Sequence, residues 1–394
     1  MAINYRIIKN CHISNGRAGE IITPHGLVST PVFVPVGSQA TVKTLSPLEL
    51  EKIGIDMVLA NTYHLYLRPG IDVIEQLGGL HQFMSWPHPI LTDSGGYQIF
   101  SLKGLRKVDE DGVVFLSHID GSRHRITPQS AIRYQESLGA DIIMALDECP
   151  ASEEDYEVIK RAMERTHRWA EICLDTKKGS GQALFAIVQG GLHPELRRKS
   201  ARLLTTMGFD GYAIGGLSLG EPKELTMNMV DLTAPLLPEE KPRYLMGVGS
   251  PEDLIMGVER GIDIFDSALP TQVARRGALF TGRGRINIRN AGYRNMAGPV
   301  DSECGCHSCR NYSAGYIHHL FRCREMLAYR LATIHNLAFM HRLMGRIRDA
   351  ICTDTFEVFR DSFLSCYRTS DENVRISQKK RWQQSRKRKD KKRG

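Results

Sequence analysis

The chain has 394 residues, 42% hydrophobic and 24% charged, which is ordinary globular composition. No apolar stretch is long enough to cross a bilayer, and the N-terminus lacks the apolar run of a signal peptide. Nine cysteines, an odd number without a secretion signal, argue against a disulfide framework, so a cytoplasmic protein with no membrane contact is expected. The net charge of +8 is local: residues 379–394 hold ten Lys or Arg against one Asp, so that segment carries +9 and the remainder about −1. Such a run reads as a solvated, disordered tail or as a phosphate contact without sequence preference.

In chain order, residues 1–30 read as short strands with turns at Asn15-Gly16 and His25-Gly26. Eight apolar runs follow, at 32–36, 57–61, 90–93, 142–147, 184–189, 212–217, 244–248 and 262–266, and read as buried parallel strands. Between most of them lie helical signals. Ser46-Pro47, Thr127-Pro128, Glu221-Pro222 and Ser250-Pro251 each place Pro just after a cap, where its missing N–H costs nothing. Eight strand–helix units predict an α/β fold, a (β/α)8 TIM barrel over residues 31–290; a doubly wound open sheet is the alternative. Between the third and fourth strands, residues 113–119 and 123–126 flank Asp120-Gly121 and predict a hairpin insertion. After the barrel, arginines interleave with Gly and Asn, a cysteine cluster follows, and 316–348 reads as one helix with Leu327, Leu331, Ile334 and Ala338 on one face. Residues 291–365 thus form a metal-binding helical subdomain packed on the barrel, and 366–394 the basic, disordered tail.

The strand ends carry the chemistry. Asp93 closes the third strand in Leu-Thr-Asp-Ser-Gly-Gly-Tyr-Gln and Asp266 closes the eighth in Asp-Ile-Phe-Asp-Ser-Ala-Leu-Pro-Thr. A carboxylate at the end of a buried strand cannot pack into the core, and two of them supply a nucleophile and a general acid/base for one displacement. Asp147 ends the fourth strand, Gln189 the fifth, Gly215-Gly216-Leu217 the sixth and Gly247-Val248-Gly249 the seventh. Any one Gly pair is as well explained by a tight turn; their coincidence on one face points to a site. Asp147 suits adjacent N–H donors, Gln189 and a backbone N–H near Gly216 suit a carbonyl oxygen, and Tyr97 and Met246 offer stacking and soft apolar faces. Together they suit a guanine-shaped heterocycle.

Cys304-Gly-Cys306-His-Ser-Cys309 is a C-x-C-x-x-C cluster suited to a closed structural zinc site. The fourth ligand is open among His307, His318, His319, Cys323 and His335. Reduced cysteines without metal are one alternative. A catalytic zinc is another, disfavoured because three thiolates neutralise the ion.

The segments LTDSGGYQIFSL, SHIDGSRH, DIIMALDECP, GYAIGGLSLGE, YLMGVGSPEDL, GIDIFDSALPT, DSECGCHSC and IHNLAF, in this order to about residue 365, resemble the tRNA-guanine transglycosylase (queuine tRNA-ribosyltransferase) family of bacterial type. The resemblance implies a TIM barrel with a zinc subdomain and a homodimer. It implies exchange of guanine at the wobble position of tRNAs with a GUN anticodon for a 7-deazaguanine. Asp266 matches the nucleophile of a covalent enzyme–RNA intermediate and Asp93 the general acid/base, the logic of a retaining glycosidase. Ser94, Gly95, Gly96, Tyr97, Asp147, Gln189, Gly215, Gly216, Leu217 and Met246 match the base pocket. Gly247, Val248, Gly249, Ser250, Pro251, Glu252 and Asp253, with Thr271, Gln272, Val273, Ala274 and Arg275, match segments that contact the tRNA anticodon loop. Cys304, Cys306, Cys309 and His335 match the ligands of one structural zinc.

Two departures stand out. Ser267 follows Asp266 where many relatives carry Cys, with little effect expected. Gln272 stands where Arg is usual, removing a charged RNA contact for which Arg275 and Arg276 could compensate. Leu219 occupies a place held by Val in bacterial and Gly in eukaryotic enzymes, and Cys149 matches the bacterial pattern. That bulk implies preQ1 as the incoming base, with queuine as the alternative. Two other functions are weighed: a non-catalytic tRNA-binding family member, and a barrel enzyme acting on a small phosphorylated metabolite.

Overall fold

The computed structural model describes residues 2–100, 106–179 and 181–369. Its strands are β1 (Asn4–Asn10), β2 (Arg17–Thr23), β3 (Gly26–Thr30), β4 (Val32–Gly37), β5 (Val58–Ala60), β6 (Ile90–Thr92), β7 (Arg106–Asp109), β8 (Gly112–Leu116), β9 (Arg123–Ile126), β10 (Ile142–Met144), β11 (Ala183–Val188), β12 (Gly211–Ile214), β13 (Arg243–Leu245), β14 (Ile264–Ser267), β15 (Ala278–Thr281) and β16 (Gly284–Asn287). The eight expected core strands, β4, β5, β6, β10, β11, β12, β13 and β14, pair in parallel and close into a barrel as β14 returns to β4. The open-sheet alternative is excluded by that last pairing.

Both faces of each barrel strand are apolar because each is buried against something different. In β11, Ala183, Phe185 and Ile187 join Val32, Val34, Leu59, Met144 and Tyr244 in the interior cluster. The alternate residues Leu184, Ala186 and Val188 pack outward with the helices. This is the period-2 geometry of a strand buried on both faces, and each buried Val, Leu, Ile or Phe among them contributes about 1.5–3 kcal/mol. Local signals set the helices between. Pro128–Leu138 begins with Thr127 accepting the Ser130 N–H (3.2 Å) and Pro128 in the first turn, and ends at Gly139, whose φ of 72° caps it.

The antiparallel sheet β1-β2-β3 seals the end of the barrel opposite the strand C-termini, with Ile21 and Val28 entering the interior cluster. Two buried acids fasten it. Asp263, 0% exposed, accepts from Arg17 Nε (2.9 Å) and Nη2 (2.6 Å), from Tyr5 Oη (2.9 Å) and from the Arg243 N–H (2.7 Å). Asp141 accepts from the Ile90 N–H (2.8 Å) and meets His25 Nδ1 (2.8 Å), and the His25 ring stacks on His81.

Four expectations need correction. The hairpin insertion exists, but β8 and β9 are joined by a six-residue loop rather than a two-residue turn. Leu116 pairs with Arg123, so Asp120-Gly121 sits inside that loop, and β7 adds a third strand. The cap reading of Glu221-Pro222 fails. Pro222 is itself the N-cap of the helix Lys223–Thr233, and the Glu221 carboxylate turns back onto the N–H groups of Ser218, Leu219 and Gly220. The helix expected over 316–348 is two, Ala314–Cys323 and Met326–Cys352, separated where Arg324 adopts φ 60° without a Gly or Pro to announce it. Packed chain continues through the helix Phe356–Cys366 to Tyr367, which stacks on Phe363, and to Arg368, which donates to the Arg283 carbonyl. The basic tail was expected from 366, so its start is corrected by these contacts, and its remainder, residues 370–394, lies outside the described residues. Among the described residues no helix is long and apolar enough to cross a membrane.

Removing Asp263 leaves the Arg17 guanidinium buried without its counter-charge. Asp263→Ala is expected to lower unfolding free energy by about 3–5 kcal/mol, read as a fall in the urea midpoint with an unchanged slope.

Candidate active site

The C-terminal ends of the barrel strands surround a cavity of about 370 Å³ lined by Asp93, Asp147, Asp266, Tyr97, Gly216, Leu219, Tyr244 and Met246 among others. Closure of the barrel brings these together from chain positions far apart. None of the three aspartates forms an ion pair among the described residues; each is held by neutral donors.

Asp93 follows β6 and is 7% exposed. Its Oδ1 accepts the Thr62 N–H (2.9 Å), and its Oδ2 accepts from Asn61 Nδ2 and from Gln98 Nε2 (2.7 Å). Burial pushes its pKa up to about 6, against the pull of those donors and with a smaller push from the charge of Asp266. Asp266 lies within β14 opposite Val34. Its Oδ1 accepts from Tyr244 Oη (2.6 Å) and from the Gly247 N–H (2.8 Å), and Oδ2 carries no hydrogen bond among the described residues. Burial raises its pKa, while Tyr244 and Gly247 hold it down.

Asp147 follows β10 and is 5% exposed. Its Oδ1 accepts from Ser94 Oγ (3.0 Å) and its Oδ2 from Gln189 Nε2 (2.8 Å), with burial raising its pKa to about 6. The glycines here are steric requirements. A Cβ at Gly96 would fall 2.6 Å from the Asp147 carbonyl oxygen, and one at Gly216, whose φ is 67°, would fall 2.3 Å from Gln189 Oε1. Gln189 Oε1 is itself buried and has no hydrogen-bond partner among the described residues. An acceptor in that state calls for a ligand donor or a small shift of the amide. Gly95 has φ 79°, Gly215 and Leu217 complete the wall, and Tyr97, 52% exposed, flanks the opening.

The two segments assigned to RNA divide by burial. Val248, Gly249, Pro251, Glu252, Thr271, Val273 and Ala274 are buried, Gly247 is exposed, and Ser250, Asp253, Gln272 and Arg275 are partly exposed. Glu252 and Asp253 pair with Lys223, and the Arg275 guanidinium turns back onto the Thr271 carbonyl. Gly249 is packed so closely on the strand of Asp266 that a Cβ would fall 2.3 Å from Ser267 Cβ.

Cys304, Cys306, Cys309 and His335 come together with their ligand atoms all within 4.8 Å of one another. His335 Nε2 meets the Phe280 carbonyl at 2.7 Å, which fixes that nitrogen as the donor and leaves Nδ1 facing Cys309 Sγ at 3.3 Å. Three thiols and one imidazole in a buried tetrad form a donor set suited to a soft, tetrahedral metal ion. The other candidates lie elsewhere: His318 bonds the Ile288 carbonyl, His307 meets Asn311, and His319 contacts Cys323. Next to His335, Asn336 accepts the Phe280 N–H and donates to the carbonyls of Pro270 and Ala278. The cluster is thereby tied to the chain just after Asp266.

Asn61 and Tyr244, which hold the two strand-end acids, were not among the expected site residues. Asn61 was findable as a polar residue ending an apolar run. Tyr244 gives no such signal, because it reads as one more interior aromatic.

The sequence profile of the queuine tRNA-ribosyltransferase family matches residues 11–369. Curated relatives bearing that name include one from Dehalococcoides mccartyi (strain ATCC BAA-2100), 60% identical over 369 residues, covering 94% of each chain. Another, from Herpetosiphon aurantiacus, is 57% identical over 359 residues, 91% of this chain and 92% of its own. A third, from Thermoanaerobacter pseudethanolicus, is 55% identical over 372 residues, 94% of this chain and 99% of its own.

Tyr244→Phe removes one of the two donors that hold down the Asp266 pKa. The Asp266 carboxyl is expected to titrate at higher pH in that variant, measured by carboxyl carbon-13 chemical shifts; an unchanged or lower value would contradict the role of this hydrogen bond.

Proposed function

The chain belongs to the queuine tRNA-ribosyltransferase family, and on that premise we propose that it exchanges guanine at the wobble position of GUN-anticodon tRNAs for preQ1 through a covalent enzyme–tRNA intermediate. It is a pentosyltransferase acting on tRNA in queuosine synthesis. The observation that carries the finer reading is the pair Asp93 and Asp266. Two acids share one cavity, one with both oxygens engaged and one with a free oxygen.

Asp266 Oδ2 attacks the ribose anomeric carbon. The bond to the purine nitrogen breaks, its electron pair stays with the purine, and Asp93 supplies the proton. In the second half, the incoming base gives its ring N–H proton to Asp93 and its nitrogen attacks the anomeric carbon. The ester bond to Asp266 breaks and the carboxylate returns. Configuration is retained by two inversions. An Asp93 pKa of about 6 suits a group that must both give and take a proton near neutrality. Asp147 accepts from the purine N–H groups, Gln189 and the Gly216 N–H hold its carbonyl oxygen, and Tyr97 and Met246 cover its faces. The nucleotide is flipped out of its stack to enter.

Gly247 and the partly exposed Ser250, Asp253, Gln272 and Arg275 meet the anticodon loop, and the buried residues of those segments hold its seat in shape. The metal of the Cys304, Cys306, Cys309 and His335 cluster is zinc, which supplies folding free energy and takes no part in the exchange. The enzyme works in the cytoplasm as a homodimer in which one subunit helps hold tRNA for the other. A non-catalytic role is disfavoured because both acids stand in the cavity. Leu219 lines the same cavity, and its bulk excludes the cyclopentenediol of queuine.

Incubation with a GUN-anticodon tRNA and radiolabelled guanine is expected to put label into the RNA. Asp266→Asn should give no covalent complex on a denaturing gel and lose exchange by about 10²-fold or more; exchange near the wild-type rate would remove Asp266 from its role. Offered side by side, preQ1 should be incorporated and queuine should not, and Leu219→Gly should gain queuine incorporation. A wild-type preference for queuine refutes the assignment of the incoming base.

A further inference from the structure

Arg197, in the helix Pro194–Thr205, is 0% exposed, and no carboxylate pairs with it among the described residues. Its guanidinium donates to three carbonyls: Nε to Gly191 (2.8 Å), Nη1 to Val188 (3.0 Å) and Nη2 to Gly215 (2.8 Å). Burial lowers its pKa only to about 10, so it is a cation at neutral pH. A buried cation with no carboxylate in contact is costly even with the charge of Glu221 acting on it from further away, and carbonyl dipoles alone repay that cost poorly. Neutral donors could satisfy the same carbonyls.

Those carbonyls belong to the turns that carry Gln189 and Gly216. The Gly215 carbonyl and the Gly216 N–H are two ends of one peptide group. Arg197 holds the carbonyl end, while the N–H end lies toward the buried Cys149 thiol, itself on the cavity wall. A Cβ at Gly216 would stand 3.7 Å from Arg197 Nη2, so the cation lies just behind the wall. A cation on a carbonyl oxygen polarises the peptide and strengthens its N–H as a donor.

We propose that Arg197 is a positioning residue that fixes and polarises the Gly215–Gly216 peptide group, so that charge developing on the purine is stabilised by a buried cation acting through one peptide bond. This rests on the reading of the cavity as a purine pocket. When the glycosidic bond breaks, its electron pair goes to the purine ring and spreads toward the ring carbonyl oxygen, where the Gly216 N–H meets it. The Asp93 proton neutralises the ring nitrogen. Arg197 gains and loses nothing in the step; it lowers the energy of the anion between bond breaking and proton transfer.

The test uses the full-length protein and a GUN-anticodon tRNA carrying at its wobble position either guanine or its more acidic 8-aza analogue, with labelled guanine as the incoming base. Arg197→Met is expected to lower the turnover number with guanine roughly 10- to 100-fold, at or below the cost of losing a direct oxyanion donor. The KM for tRNA should stay near that of the wild type. The loss should be smaller for 8-azaguanine, whose anion needs less help, and Arg197→Lys should recover part of the guanine rate. A folded Arg197→Met with wild-type turnover overturns the proposal. So does an equal loss for both bases, which would mark a merely structural residue. Should the Met variant fail to fold, the comparison is made on Arg197→Lys: a larger loss for guanine than for 8-azaguanine supports the proposal, and an equal loss overturns it. If the wild type exchanges neither base out of the tRNA, it is the purine-pocket reading that fails.

Discussion

Three carboxyl groups stand in one cavity with no cation paired to any of them among the described residues, and much of the architecture follows from keeping them there. Withdrawing a carboxylate from water is costly unless donors take the place of the solvent. Here the donors are neutral and fixed by backbone: the Thr62 and Gly247 N–H groups, with Asn61, Gln98, Ser94, Gln189 and Tyr244. Neutral donors leave burial as the leading influence on each acid and the pKa values of Asp93 and Asp147 raised to about 6. An adjacent Lys or Arg would have held them down and ionised. The fully buried guanidinium of Arg197 is kept behind the wall and spends its donors on carbonyls.

Such an arrangement needs a rigid frame with one open face. The barrel strands are largely apolar on both sides, so most polar side chains gather where the strands run out. The opposite end is closed by β1-β2-β3 and pinned by Asp263 and Asp141, acids that do have cationic or imidazole partners. The two ends of one barrel thus handle acidic residues in contrasting ways. At the base they are paired and structural; at the mouth they are unpaired and stand in a cavity.

Most of the barrel could be read from the chain because an apolar run of strand length, followed by a capped helix, leaves few options. The strand-end acids were legible for the same reason, since a carboxylate after Ile-Leu-Thr or Ile-Phe has nowhere to pack. What escaped was decided by tertiary contact. Arg197 looks like one of several basic residues on an amphipathic helix until the fold brings two strand-end turns around it. Tyr244 is an interior aromatic until β14 sets Asp266 beside its hydroxyl. The break at Arg324 has no Gly or Pro to mark it, and the six-residue loop of the insertion is fixed by pairing further along β8 and β9. Glu221 was read as a cap for the helix ahead, whereas its carboxylate takes the N–H groups of the loop behind it and, from that helix, the Thr226 hydroxyl.

The tie made by His335 and Asn336 has a further reach. Consecutive residues of one helix grip the cysteine cluster on one side and, on the other, β15 and the turn at Pro270 that follows Asp266. The helical annex is therefore a tether on the rim of the barrel, and oxidation of its thiols would slacken that rim at a distance.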